Sequence, residues 1–460
     1  MNSRAFIGAV SLFALMVSAG RASAHPTRVY APAAILSGGA QLEKGADYLK
    51  VSGPAKMQWR VVLPAEAQYS IAVVYSAKAP LAAASLGRYT LTVRSVRQEA
   101  AIAAQAGVFE ESELNFDRVA LPRRVHLKAG SQLVTLQMMP TGNEVRVRAL
   151  EFSREADVRE ETRARAARAD TGWLANAGYG VMFHWTDQSA PQHGAPVPYE
   201  AAVDRFDVTR FADLVAVTGA GYVIFSVNHV HPHCPAPLRS WEQVHPGWTT
   251  RRDLLGEIAR ALARIHVPLM LYMSSPVMGR LAAVDAREYL DIHRRILSEM
   301  GERYGSLVSG YWLDGWYQGQ QEFPALSLHD LQSAVRAGNP ERLVAYNSWV
   351  YPVEIPWQDY WAGEVGSLVR LPTQRFPASG AARGLQTHML MYMDAPWVHS
   401  AQNTQMESPR FDDDALITFV RASVASHAAV TLNLGVFQDG TVGDKTLAQV
   451  VHLRQAIRGH

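Results

Sequence analysis

The sequence predicts a two-domain protein, an all-β sandwich followed by an α/β domain of the (β/α)8, TIM-like barrel class. Three observations predict it. Up to about residue 153, short β-branched runs are punctuated by Gly, Pro and Asn. From Thr171 onward, strand-like runs alternate with amphipathic helices. The chain has 460 residues and a single cysteine, Cys234, so it must be stabilised by core burial without an internal disulfide, and it is long enough for two cores.

Residues 1–24 read as a signal peptide. Arg4 supplies the positive start, "AFIGAVSLFALMVSAG" the apolar run, and Ala22-Ser23-Ala24 the small-residue cleavage site before His25. The apolar run is shorter than the roughly 20 residues a membrane span needs. A periplasmic or secreted protein with no membrane anchor after cleavage is expected. Lys+Arg and Asp+Glu nearly cancel, 44 against 42, which argues against a nucleic-acid or anionic-membrane partner.

Residues 25–153 form the predicted sandwich, with strands in "MQWRVVLP", "YSIAVVYSA", "RYTLTVRSV", "QLVTLQMM" and "EVRVRALEF". Its size and strand rhythm are those of a carbohydrate-binding module; a packing module that shapes the active-site rim is the alternative. Residues 154–170 carry dense charge and one large apolar residue, Val158, and read as a solvated helical linker. Residues 171–460 hold the barrel. Its strands are "YGVMFHW", "YVIFSVNH", "VPLMLYMS", "SGYWLDGW", "LVAYNSW", a weak sixth at "DYWAGEV", "QTHMLMYM" and "AVTLNLG". Between them lie helical patterns such as "VTRFADLVAVTGA" and "AREYLDIHRRILSEMGERY", and "KTLAQVVHLRQAIRG" closes the chain.

Barrel chemistry lies at the C-terminal strand ends. Those ends carry His184 and Trp185, then Asn228 and His229 with His231 and His233, then Tyr272 and Asp314. Asn347, Trp349 and Glu364 follow, with His388 and Tyr392 on the seventh strand and Asn433 on the eighth. Any one of these has a structural reading, a strand-end His satisfying a backbone carbonyl for example. Together they suit a hydroxyl-rich ligand, and the 11 Trp and 17 Tyr supply faces that stack on sugar rings. Asp314 stands out as a carboxylate boxed in by Trp312, Trp316 and Tyr317.

Several blocks resemble the glycoside hydrolase family 29 α-L-fucosidases. "WLANAGYGVMFHW" resembles their Trp-led helix and first strand, and "FDVTRFADLVAVTGAGYVIFSVNH" the helix running into a K-H-H-D-G-F strand. "TTRRDLLGEIARALARIHVPLMLYMS", "GYWLDGW" and "TLNLGVFQDGTV" resemble later blocks, in order, over about residues 170–455. The resemblance implies a retaining exo-glycosidase acting on α-L-fucosides or a related L-configured or deoxy sugar, with no cofactor and no metal. It makes Asp314 the nucleophile, an ionised carboxylate that calls for donors beside it. It makes His184 and His229 sugar contacts, and Trp185, Trp312 and Trp316 candidates to pack on the ring.

The general acid is less fixed. Glu364 resembles the family's D-Y-x-x-x-E segment and is preferred over Glu354, with Glu242 third. Where the family reads K-H-H-D-G-F this chain reads "NHVHPH", so Val230 replaces the second His and the Asp is absent, which puts fucose itself in question. No stretch after the last barrel helix resembles the family's C-terminal β-sandwich. Two other classes stay open: a catalytically silent glycan-binding protein on the same barrel, and a metal-dependent hydrolase using His229, His231 and His233. Oligomeric state is not legible.

Overall fold

The structure is a computed structural model. It describes residues 26–459 apart from 43–46, 78–85, 104–115, 143, 278, 317–318, 320–321, 324–325, 327, 349–352, 369–372 and 377–379. The expected signal peptide, Tyr317 and Trp349 lie outside the described residues. Among the described residues, no helix is long and apolar enough to cross a membrane.

The N-terminal region consists of β1 (Thr27–Tyr30), β2 (Ile35–Leu42), β3 (Leu49–Leu63), β4 (Ala67–Ala77) and β5 (Gly87–Val93). It continues with β6 (Val96–Ala101), β7 (Asp117–Ala120), β8 (Val125–Leu127), β9 (Gly130–Pro140) and β10 (Val145–Ser153). Two facing sheets were expected. The strands instead join in one antiparallel sheet ordered β6-β5-β9-β3-β10-β4-β7, with β1 on β10, β2 on β3 and β8 on β4. The long β3 makes this continuity: its first residues pair with β10 and Ala55–Leu63 pair with β9. Side chains alternate in and out along it, and Trp59, Ile71, Tyr75, Leu91, Leu136 and Phe152 meet in one core that the sheet must curl around.

The charged segment after β10 is a helix, α1 (Glu155–Ala166), but not a solvated one. Asp157, Glu160, Glu161 and Ala164 are buried. Each buried carboxylate has a partner: Arg154 on Asp157 at 2.8 Å, Trp357 Nε1 on Glu160 at 2.9 Å, and Arg118 on Glu161 at 2.7 Å. Charge density predicted exposure; long-range pairing across the two domains permits burial instead.

The barrel sheet is parallel and has seven strands: β11 (Gly180–Phe183), β12 (Val223–Ser226), β13 (Leu269–Ser274), β14 (Val308–Asp314), β15 (Leu343–Tyr346), β16 (His388–Tyr392) and β17 (Ala429–Leu434). Their order is β15-β14-β13-β12-β11-β17-β16, which leaves a gap between β15 and β16. The expected sixth strand, "DYWAGEV", fills that gap as irregular chain. Among the described residues it makes no ladder with β16: Glu364 forms an isolated bridge to Leu390, and Tyr360 one to Gln386, just before the strand. On the β15 side, Asp359 N donates to Val344 O at 2.9 Å, and the Asp359 and Gln358 side chains accept from Val344 N and Tyr346 N. Gly363, at φ +62°, lies so close to the His388 carbonyl that a Cβ would meet it at 2.0 Å, so a regular strand with side chains does not fit there.

Inside the sheet, Met182, Tyr222, Ile224, Met270, Tyr272, Trp312, Leu343 and Leu390 pack as the barrel interior. A larger apolar layer, including Phe183, Phe225, Leu271 and Val344, lies outside the strands with residues of the surrounding helices such as Phe211, Ile258 and Ile296. Both strand faces are therefore buried, which is why these strands read as unbroken apolar runs.

Candidate active site

Asp314 is the last residue of β14 and points the same way as Trp312, into the barrel. Gly315 follows in the left-handed region, at φ +76°, and its N–H donates back to Asp314 Oδ1 at 2.7 Å. Asn347 Nδ2 donates to the same oxygen at 2.9 Å, and the Tyr272 hydroxyl to Oδ2 at 2.6 Å. Three donors from three strand ends thus fix both carboxylate oxygens.

Asn347 also donates to Glu364 Oε2, at 2.7 Å. One amide nitrogen therefore joins the two carboxyl groups, whose nearest oxygens are at most about 5.6 Å apart, the sum of 2.9 and 2.7 Å. Burial first, and the nearby Asp314 charge second, push the Glu364 carboxyl up to about 7, against a smaller opposing pull from the Asn347 donor. Two carboxyl groups in one cleft are held in different environments, one tied by three donors and one raised toward neutrality.

His184 and His229 complete the cleft beside Tyr272, with ring centroids 4.4 Å apart. Both ring nitrogens of His184, and Nδ1 of His229, are buried without a partner among the described residues. Burial holds the pKa of each below the ordinary value, aided in His184 by His229 and opposed in His229 by Asp314. Such groups, neutral and unpaired, suit a hydroxyl-bearing ligand. Met182, Trp312, Leu390 and Trp397 form the apolar lining of a partly open cleft of about 30 Å³.

The structure brings together Asp314, Glu364, His184, His229, Tyr272, Trp312 and Asn347. It separates the rest. Trp185 is buried on the outer side of the strands against Phe206 and Phe225, with Nε1 on the Gln438 carbonyl. Trp316 is fully buried among Tyr289, His293 and Tyr346. His388 is the first residue of β16 and binds the carbonyls of Trp361 and Ala362 and the Thr431 hydroxyl. Asn228 is buried outside the cleft lining. His231 is exposed and pairs with Asp187 at 2.6 Å, while His233 packs on Trp248 and Tyr199. The three histidines of "NHVHPH" thus face different neighbours, and among the described residues no group of three His, Cys, Asp or Glu could share an ion.

The two rival acids are engaged elsewhere. Glu242 accepts from Gly247 N and the Thr249 hydroxyl. Glu354 accepts from Tyr30 and Arg148; burial would raise its carboxyl, but Arg28 and Arg148 hold it below the ordinary range. Trp397 escaped the sequence reading. It stands five residues beyond β16, in the left-handed region at φ +69°, with its carbonyl held by Asn433 Nδ2 at 3.1 Å. The only signal was the aromatic in "DAPWVHS", which strand-end bookkeeping passes over.

No family model matches the chain, and no curated protein does. Among solved structures, an endo-fucoidan hydrolase of glycoside hydrolase family 107 is similar over 62% of this chain and 92% of its own, at 16% identity and a TM-score of 0.46. The α-L-fucosidase isoenzyme 1 from Paenibacillus thiaminolyticus is similar over 65% and 76%, at 14% identity and 0.47. A GH29 α-L-fucosidase from Bacteroides thetaiotaomicron is similar over 62% and 73%, at 15% identity and 0.44. Likeness at this level assigns neither a family nor an activity.

Proposed function

We propose that the chain is an exported, retaining exo-glycosidase that hydrolyses α-L-fucosides or a related L-configured or deoxy sugar. The observation that carries the reading is the shared Asn347 amide between Asp314 and Glu364. Retaining enzymes place their carboxyl groups about 5–5.5 Å apart, whereas inverting enzymes leave about 6.5–9.5 Å for a water. An oxygen-to-oxygen separation of at most about 5.6 Å suits the first. Asp314 attacks the anomeric carbon while Glu364 gives its proton to the departing oxygen. A covalent glycosyl ester forms on Asp314. Water then breaks that ester as Glu364 takes back a proton. The raised Glu364 carboxyl suits the acid, while the lowered Glu354 carboxylate, turned toward the N-terminal domain, does not. His184 and His229 offer unpaired ring nitrogens to sugar hydroxyls, and the apolar wall suits a deoxy carbon; the choice of sugar rests on the family resemblance.

The test is a panel of aryl glycosides (α-L-fucoside, α-L- and β-D-galactoside, β-D-arabinoside, α-L-rhamnoside) followed by NMR of the first-formed product. Release with retained anomeric configuration is expected from at least one. Inverted product would end the double-displacement reading. Glycan binding with no release from any member of the panel would decide instead for a glycan-binding protein without turnover.

A further inference from the structure

We propose that the N-terminal β domain and α1 are a positioning device for Glu364: they hold residues 354–359, the approach to the irregular segment that stands in for the missing barrel strand. The inference uses the glycosidase reading only for what Glu364 does, not for how it is held.

A carboxyl on a regular strand, such as Asp314, inherits its position from a ladder on both sides. Glu364 has no ladder toward β15, and toward β16 it has one isolated bridge, in which Leu390 N donates to Gly363 O at 2.7 Å and Val365 N to Leu390 O at 2.9 Å. What the segment has instead is a series of anchors before it enters the barrel wall. Glu354 accepts from Tyr30 of β1 at 2.8 Å and from Arg148 of β10 at 2.5 Å, and Arg28 of β1 lies 3.7 Å away. Those partners are themselves held: Asp47 binds Arg148 at 2.8 Å, and Trp59 Nε1 binds the Tyr30 carbonyl at 3.0 Å. Next along the chain, Trp357 is tied to Glu160 of α1. Arg168 donates to the Gln358 carbonyl at 3.0 Å, and Ala169 N to Asp359 Oδ1 at 2.8 Å. Arg336, from the barrel, closes on the same Asp359 carboxylate at 3.0 Å. Arg168 also donates to the Ala381 and Arg383 carbonyls, at 2.9 and 2.7 Å, but the buried carboxylates that join the domains, Glu354, Glu160 and Asp359, all bear on the few residues that lead to Glu364. A buried charge pair is weak evidence of added stability, because desolvation offsets its attraction, and here we assign these pairs a positioning role.

The domain's own surface points the same way. Among its described aromatics, Tyr48, Trp59, Tyr69, Tyr75, Tyr89, Phe116 and Phe152 are buried, and the half-buried Tyr30 is occupied with Glu354. Among the described residues it offers no aromatic platform on which a sugar could stack, so the carbohydrate-binding-module expectation finds no support here.

Two near-isosteric variants test the device, Tyr30→Phe and Arg148→Met, with Arg148→Lys as the rescue. The deciding readout is the titration of the Glu364 carboxyl, followed as the ¹³C resonance that is absent from Glu364→Gln. Asp314, Tyr272, His184 and His229 also face the cleft and are unchanged in every variant. A shift of at least about 0.5 pH units is expected in Arg148→Met, smaller in Tyr30→Phe and partly reversed in Arg148→Lys. With an active substrate, kcat should fall about 10–100-fold in Arg148→Met while KM stays within about twofold. A wild-type Glu364 titration in both variants overturns the proposal, whatever happens to Tm. If Arg148→Met does not fold, Tyr30→Phe decides alone. If wild-type protein releases no sugar, the glycosidase reading fails, and the resonance still decides the positioning.

Discussion

The two carboxyl groups of the cleft stand on opposite kinds of backbone. Asp314 ends a strand that is paired in register on both sides, Ser274 opposite Asp314 on one and Tyr346 opposite Leu313 on the other. Glu364 stands on irregular chain in a gap of the same sheet, with one isolated bridge to Leu390 on one side and, on the β15 side, only the Gln358 and Asp359 side chains earlier in the segment in place of ladder bonds among the described residues. A ladder places a side chain through local sequence alone. A gap must borrow its rigidity from elsewhere, here from buried ion pairs that reach into another domain. The first carboxylate is therefore robust and readable, and the second is conditional.

Asp314→Asn is expected to have the largest effect. The amide fits the site: its oxygen can keep the Asn347 and Gly315 donors, and its nitrogen can donate to the Tyr272 hydroxyl. Folding should survive, with Tm within a few degrees, while turnover falls on the order of 10⁴-fold in steady-state assays. Near-normal turnover would remove Asp314 from the chemistry.

Glu364→Gln comes next, with a loss of about 10²–10⁴-fold, smallest on aryl leaving groups that need little protonation. The wild-type kcat/KM should fall above a pH of about 7, where the raised Glu364 carboxyl loses its proton, and that basic limb should vanish in the variant. Stability carries the same signature. Below the ordinary value of 4.5 the carboxyl is protonated whether the chain is folded or not, and it opposes folding in neither state. Between 4.5 and about 7 the unfolded chain ionises first, so stability declines as pH rises, and above about 7 the decline is complete. Denaturant melts of wild type minus Glu364→Gln should show a fall on the order of 1–2 kcal/mol across that window, solvent at the half-buried group reducing the full value.

The same division governs what the sequence discloses. Unbroken apolar runs mark strands buried on both faces, and seven of the eight expected barrel strands lie where "YVIFSVNH", "VPLMLYMS" and their companions place them. The eighth run, "DYWAGEV", has strand-like composition, but Gly363 must press its backbone against the His388 carbonyl, a close approach that no run of residue types encodes. Strand ends were also readable, yet which face an end residue takes was not. Trp185 points outward because it follows Phe183 by two. Charge in "SREADVREETRARAARAD" looked solvated because its partners, Arg118 and Trp357, lie far away in sequence.

Trp316 tests that limit with the smallest expected effect on chemistry. It sits two residues past Asp314, and its sequence neighbourhood makes it a sugar-contacting wall. In the fold it lies beyond the barrel sheet, edge-on to Tyr289 and Tyr346, with its indole nitrogen unpartnered among the described residues. Replacing it with Phe therefore removes no described hydrogen bond and leaves a void the size of part of an indole. A stability loss of about 1–3 kcal/mol is expected from the lost packing. KM and kcat should stay within about twofold, because the indole itself makes no described contact with Asp314, whose donors come from Gly315, Asn347 and Tyr272, and Phe keeps a ring against Tyr346. A KM raised tenfold with an unchanged melt would mean that the indole reaches the sugar after all, and that proximity in sequence was the better guide to this side of the cleft.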